Sequence, residues 1–330
     1  MTGHLAEWGG VLIFANPYSG HRDNRPKVEA LAQALGARGV EVKVVWEAGS
    51  RVAEIKAAGS HCKAVVAAGG DGSVAAVVNA MAMAGQLGKV PFATLPVGTE
   101  NLFAQAMQFE VTPEELAQAI VQGVTRPLDL GWAGTPEQME SGGGHYFTLM
   151  MTRGFDAHVV HRMDRWRAAA SGVSGESVLR RVNRWSYAPR VLAGLASYRY
   201  PKIQLETNTG QVVQGVQAFV FNLNRYGGGF PLGAHAVADD GVLDWVVFQN
   251  PGRLRLLYYH WLAGRRRHLK SPSVVHGQAA GVKISAVGEA VPGQADGDPL
   301  ANDATHVQVC PGALRVVVVP REGLRGRGGK

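Results

Sequence analysis

The sequence predicts an α/β N-terminal domain built on a parallel sheet, followed by a β-rich sandwich domain. Three observations predict it. Short apolar runs alternate with helical spacing over the first third of the chain. Three of those runs end in polar, glycine-bearing loops. From residue 146 onward, strand-like runs follow one another without regular crossover helices, the pattern of antiparallel pairing.

In order, residues 11–15 read as a first strand that runs into Asn16-Pro17-Tyr18-Ser19-Gly20, a turn too elaborate for a mere connection. Residues 26–36 carry apolar side chains at helical spacing and end on a glycine, a C-cap signal. Residues 41–46 alternate as a strand, and 53–58 form a short helix. The run Ala64-Val65-Val66-Ala67-Ala68 is a buried strand, closed by Gly69-Gly70-Asp71-Gly72-Ser73 and a helix over 74–84. The glycines allow close backbone approach, and the helix start offers unpaired N–H groups and a positive dipole end, which suits a phosphate. Asp71 is out of place beside a phosphate unless a divalent cation bridges the two or its charge acts on a nucleophile; otherwise it caps the helix.

Residues 92–95 form another strand, which delivers Pro96-Val97-Gly98-Thr99-Glu100-Asn101. Parallel strands share one C-terminal edge, so the three loops converge on a single crevice, the place where such sheets bind ligands. Thr112-Pro113-Glu114-Glu115 has the form of an N-cap, a proline and an acidic first turn, opening a helix to residue 122. A strand over 126–132 and a glycine-rich loop over 134–144 lead into the second half. There, strands are expected at 146–152, 202–206, 212–222, 242–248, 282–286, 305–310 and 314–319. The domains are placed at 1–126 and 127–320, with a flexible basic tail at 321–330.

With 46% apolar and 18% charged residues and a formal charge of +7, this is an ordinary globular chain with an anionic partner. Cys62 and Cys310, the two cysteines, are too few for a disulfide framework and have no metal-site spacing. No run approaches the 18 apolar residues of a membrane span, and no signal peptide opens the chain, so a cytoplasmic protein with at most peripheral membrane contact is expected. Neither a P-loop nor a Rossmann fingerprint occurs.

Asn16-Pro17-x-Ser19-Gly20, Gly69-Gly70-Asp71-Gly72-Ser73 and Pro96-x-Gly98-Thr99-x-Asn101, in this order, resemble the three nucleotide-binding motifs of the diacylglycerol kinase catalytic-domain family, which includes bacterial lipid kinases and sphingosine kinases. The resemblance implies a nucleotide-binding domain of the NAD kinase and diacylglycerol kinase type, with ATP phosphates near residues 70–73 and Thr99. Gly154-Phe155-Asp156-Ala157 and Asn222 with Tyr226-Gly227-Gly228-Gly229-Phe230 continue it. Asp239-Asp240-Gly241-Val242 resembles the acidic loop where related enzymes hold Mg²⁺, the implied ligands being the Val237 and Val242 carbonyls and the Asp240 carboxylate. Ala295-Asp296-Gly297-Asp298 resembles an Asp-Gly-Glu segment that supplies a general base, from Asp296 or Asp298. The departures are Asp298 for the usual Glu, Ser73 for Thr, Leu102 for Asp, and Glu47 where a Thr often contacts nucleotide.

The expected reaction is Mg²⁺-assisted transfer of the ATP γ-phosphoryl group to a hydroxyl of diacylglycerol or a related lipid. An NAD kinase-like phosphotransferase and a non-catalytic nucleotide- or lipid-binding regulator are the alternatives. Between Arg162 and Lys202, nine basic residues interleave with Trp166, Trp185, Tyr187, Tyr198 and Tyr200, a composition that fits docking on the anionic inner face of a membrane. No groove-reading motif accompanies them, so no nucleic-acid partner is expected. A homodimer is compatible with the sequence.

Overall fold

The structure, a computed structural model, describes residues 8–16, 23–171, 198–225, 227, 232–233, 235–301 and 305–320. The first third alternates as expected: β1 (Val11–Ala15), α1 (Arg25–Gly36), β2 (Val42–Val45), α2 (Arg51–Ala58), β3 (Ala64–Gly69), α3 (Asp71–Met83) and β4 (Phe92–Pro96). The strands pair in parallel in the order β2-β1-β3-β4. β1 and β3 are buried at every residue, because helices cover both faces of the sheet; hence their unbroken runs of small and β-branched side chains.

α4 (Leu102–Ala106) and α5 (Pro113–Gln122) follow. The Thr112 hydroxyl accepts the Glu115 N–H at 3.2 Å and the Glu115 carboxylate accepts the Thr112 N–H at 2.7 Å, the capping box read from the sequence. Next come β5 (Thr125–Gly134), α6 (Pro136–Glu140), β6 (His145–Phe147), β7 (Met150–Arg153) and α7 (Phe155–Ser171). The later elements are β8 (Lys202–Thr207), β9 (Val212–Gly215), β10 (Gln217–Phe221), β11 (Leu243–Phe248), α8 (Arg253–Gly264), β12 (Val274–Ala279), β13 (Gly281–Val287), β14 (Gly293–Ala295), β15 (Asp298–Leu300) and β16 (His306–Val317).

A second sheet, β12-β11-β10-β7-β14-β15, is antiparallel throughout. Its inner face, with Val220, Leu243 and Trp245, packs on Ile203, Leu205, Ile284 and Val307 of the first sheet to form the sandwich. The alternate residues Phe219, Phe221, Val246 and Phe248 point outward, where Tyr259 and Ala263 of α8 cover them. β16 joins the halves: it pairs with β5 along its length, with β13 at residues 306–308 and, in parallel, with β4 through Val316 and Phe92.

Several expected boundaries change. The strand expected over 146–152 is two strands in different sheets, and the chain passes from one sheet to the other at Thr148 and Leu149. The strand expected over 212–222 divides in the same way at Val216. Conversely, the runs at 305–310 and 314–319 form one strand with a bulge between Cys310 and Leu314. Hydrophobic pattern alone does not separate a break from a bulge, since both preserve apolar spacing. α6 lies inside the stretch expected as a loop, and α7, α8, β12 and the β14–β15 hairpin are additional elements. Among the described residues, no helix is long and apolar enough to cross a membrane. Most of the basic-aromatic segment, including Trp185 and Tyr187, and the tail at 321–330 lie outside the described residues.

Candidate functional site

The three polar loops leave adjacent strands at one edge. β1 ends in Asn16, whose N–H donates to Ala68 O at 3.2 Å and whose carbonyl accepts the Asn24 side-chain amide at 3.2 Å, tying the strand end to the start of α1. Pro17, Ser19 and Gly20 lie outside the described residues. β3 delivers Gly69 and Gly70; Gly70 is the N-cap of α3, and its carbonyl accepts the N–H groups of Ser73 and Val74. At Val97, just past β4, the N–H donates to Gly69 O at 3.1 Å.

The last two loops touch glycine to glycine. A Cβ on Gly98 would fall 2.3 Å from the Gly70 Cα, so the contact excludes a side chain at Gly98, and one on Gly70 would sit tightly, 3.2 Å from the Gly98 Cα. Asn101, in the left-handed conformation at φ 53°, folds its amide back on the loop: Oδ1 accepts the Gly98 N–H at 2.9 Å and Nδ2 donates to Gly98 O at 3.1 Å. The Asn101 side chain therefore builds the loop. Gly72 and Thr99 are exposed and Ser73 is half-buried at the open edge. Beside the loop a cavity of about 470 Å³ is lined by Lys27, Pro96, Asn101, Gln105 and Thr112.

Asp71 is the first residue of α3, yet its Oδ1 accepts the N–H of Phe103 at 2.9 Å in the first turn of α4. It caps the neighbouring helix and fixes α3 to the β4 loop. Burial pushes its carboxyl up from the ordinary value, the Phe103 and Leu102 N–H groups pull it back, and the negative charges of Asp296 and Glu100 raise it further. Asp71 and Asp296, read separately from the sequence, thus stand in one electrostatic environment.

Asp296 lies at the turn of the β14–β15 hairpin with φ 47°, followed by Gly297 at φ 91°. Its Oδ2 accepts the Thr148 N–H at 2.6 Å and the Thr148 hydroxyl at 2.8 Å; its Oδ1 accepts the N–H groups of Leu149 at 2.9 Å and Met150 at 3.0 Å. These donors belong to the point where the chain changes sheets, whose N–H groups have left the ladder. Burial pushes the Asp296 carboxyl up against the pull of the four donors. From the other side, Gln294 accepts the Gly297 N–H at 2.8 Å and donates to Asp156 at 2.9 Å, so the first turn of α7 also holds the hairpin. Asp298, half-buried, opens β15.

The Asp240 loop is organised by a residue that the sequence reading missed. Asp129, 4% exposed within β5, accepts the N–H groups of Gly241 at 2.8 Å and Gly312 at 2.7 Å, and donates its own N–H to Ala238 O. Asn222, buried, donates to the carbonyls of both Asp129 and Thr148 at 2.9 Å. Asp240 is exposed, and its Oδ1 accepts the Val242 N–H at 3.2 Å in an Asx turn that joins these two residues; Val237, also exposed, precedes it in the chain. Among the described residues, no three His, Cys, Asp or Glu side chains gather as a metal site. Tyr226, Gly228, Gly229 and Phe230 lie outside the described residues.

Comparison with known proteins agrees with this architecture. Residues 10–133 match the family model of the diacylglycerol kinase catalytic domain, and residues 151–318 match that of the YegS C-terminal NAD kinase beta sandwich-like domain. The chain belongs to the diacylglycerol kinase and YegS family of lipid kinases. Within this family it is 28% identical over 323 residues to a Mycobacterium tuberculosis protein named diacylglycerol kinase, covering 96% of this chain and 97% of that one. A Pseudomonas fluorescens protein named "Probable lipid kinase YegS-like" is 30% identical over 302 residues, covering 88% and 90%. A crystal structure described as a diacylglycerol kinase from Bacillus anthracis shares the fold, with a TM-score of 0.63 and 17% identity over 94% of this chain and 97% of that one.

Proposed function

We propose that this chain is an ATP-dependent lipid kinase that transfers the γ-phosphoryl group to a hydroxyl of diacylglycerol or a related lipid. The observation that carries the reading is that Asp71, at the glycine turn of the first sheet, lies within electrostatic reach of Asp296, on the hairpin of the second. A transfer between two substrates needs a donor site and a proton acceptor facing one another, and these two elements supply them. The glycine contact between residues 70 and 98 fits a polyphosphate, because it clears side chains from the edge where the first N–H groups of α3 open.

In this reading the N-terminal turn of α3, Ser73 and Thr99 hold phosphate oxygens, and the cavity beside Asn101 receives the rest of the nucleotide. Bound Mg²⁺ would supply neutralisation of phosphate charge. Asp296 and Glu100 each add negative charge around Asp71, which a cation would offset, and Asp71 is the side chain proposed to hold it. The Asp240 turn is a second, structural candidate with Val237 and Val242. Asp296 takes the proton of the acceptor hydroxyl. The Thr148 hydroxyl is the one of its four donors able to rotate and accept that proton's hydrogen bond. Asp298, shorter than the family's usual Glu, orients the hydroxyl from the more open side of the hairpin.

The test is transfer of labelled phosphate from ATP with Mg²⁺ to a panel of detergent-dispersed lipids, with NAD included. A labelled lipid supports the reading, labelled NAD replaces it with a nucleotide kinase, and intact ATP binding without any product replaces it with a regulator.

A further inference from the structure

α8 has two apolar faces, and the fold uses one. Leu256, Tyr259, Leu262 and Ala263 are buried, the first against α7 and Tyr198 and others against the outer face of the second sheet. Leu254, Leu257, Tyr258 and Trp261 stand outward, 83%, 55%, 42% and 51% exposed. Their spacing of three, four and seven residues aligns them in one stripe, opposite the buried one. Tyr258 and Trp261 stack with ring centroids 6.0 Å apart, and the Arg265 guanidinium lies 4.1 Å from the Trp261 ring centroid.

Charge frames the stripe. Arg253 and Arg255 flank it in the first turn, Arg265, Arg266 and Arg267 follow the last, all five are exposed, and α8 contains no acidic residue. A second copy seated on this stripe would bring arginines against arginines. An anionic surface with an apolar interior matches both features, and Trp, Tyr and Arg are the side chains that settle at a bilayer interface.

We propose that the outward face of α8 docks on an anionic phospholipid bilayer, with Leu254, Leu257 and Trp261 entering the headgroup boundary and the five arginines meeting lipid phosphates. The segment singled out from the sequence for this role, Arg162 to Lys202, is a different stretch of the chain. The proposal rests on the lipid-kinase reading for its purpose, because a lipid substrate is met at a membrane.

The experiment is co-sedimentation of the full chain, without ATP, with vesicles of phosphatidylglycerol and phosphatidylcholine or of phosphatidylcholine alone. The wild type is expected to sediment with the anionic vesicles and to be released by salt. The variant Leu254→Ser/Leu257→Ser/Trp261→Ser, altered only at exposed positions, should keep its melting temperature and bind at least about tenfold more weakly. Arg265→Ser/Arg266→Ser/Arg267→Ser should lose the preference for anionic over neutral vesicles. Brominated lipid should quench tryptophan emission in the wild type and less in Trp261→Phe. Wild type left in the supernatant, or an apolar variant that binds equally well, overturns the proposal. So does a wild-type dimer that the apolar variant dissociates, which assigns the face to a second copy. Turnover on detergent-dispersed lipid, followed in parallel, reports on the kinase reading independently: it can fail while docking holds, and the reverse.

Discussion

The Asp71 carboxylate accepts the backbone N–H of Phe103 at 2.9 Å, so a residue of the phosphate-type turn also caps the helix that follows the next loop. The two roles separate by substitution. Asp71→Ala removes the acceptor and should cost about 1–2 kcal/mol, the size of a lost helix cap. Asp71→Asn keeps an acceptor oxygen and removes the repulsion from Asp296 and Glu100, so it should melt at or above the wild-type temperature while losing at least about 100-fold in kcat. Thermal denaturation beside phosphate transfer checks both; an active Asp71→Asn enzyme would confine the residue to capping.

Asp296 and Asp298 should part in the same assays. Asp296→Asn places amide hydrogens against N–H donors of residues 148–150 and should destabilise by about 2–4 kcal/mol, and Asp298→Asn is the paired variant. Both should slow transfer. With Asp296 as base, raised above the ordinary 3.8, kcat/KM should rise with pH through an apparent pKa above that value, and this limb should vanish in Asp296→Asn. A limb that persists there and disappears in Asp298→Asn would exchange the two roles.

Gly98→Ala drives a methyl group into the Gly70 backbone and must spread the two loops. Such an overlap costs about 1–3 kcal/mol, and the lost cradle should weaken ATP binding by about tenfold or more, measured by calorimetry. Gly72→Ala, with nothing within 4 Å of the added methyl, is the matched control and should bind ATP nearly as the wild type does.

Cys62 predicts a response to alkali. Its buried thiol donates toward the carbonyls of Gly10 and Ala64, and burial pushes its pKa from 9.0 to about 11. The folded state therefore resists losing this proton, and the unfolded chain releases it first. Its contribution is fully present below pH 9, falls as the pH rises toward 11, and amounts to about 3 kcal/mol at most. Urea unfolding across this range should show a shallower alkaline decline for Cys62→Ala than for the wild type; parallel declines would remove Cys62 from the account.

Much of the first sheet was legible because its code is local. An apolar run followed by a glycine turn and a helical repeat has few alternatives, and the shared edge of parallel strands then brings the Asn16, Gly70 and Gly98 loops together. The second sheet was less legible because its decisive contacts are distant. Nothing local marks Thr148 as the point where the chain changes sheets, since the N–H groups freed there are answered by Asp296, 148 positions on. Asp129 did leave a signal: a carboxylate in an otherwise apolar strand needs partners, and it finds them at Gly241 and Gly312. α8 hid its nature because apolar residues on both faces blur the amphipathic repeat.

β16 sets the order in which the molecule can be completed. It supplies the partner of β4 and the full-length partner of β5, and it arises from residues 306–317. During synthesis, β4 therefore leaves the ribosome with one edge unpaired and keeps it until nearly all the remaining chain has followed. An unpaired edge is a template for association, so the nascent N-terminal half is the stage most exposed to misassembly. A stop introduced before residue 306 would leave that edge permanently open, giving an aggregating fragment in place of a free-standing nucleotide domain.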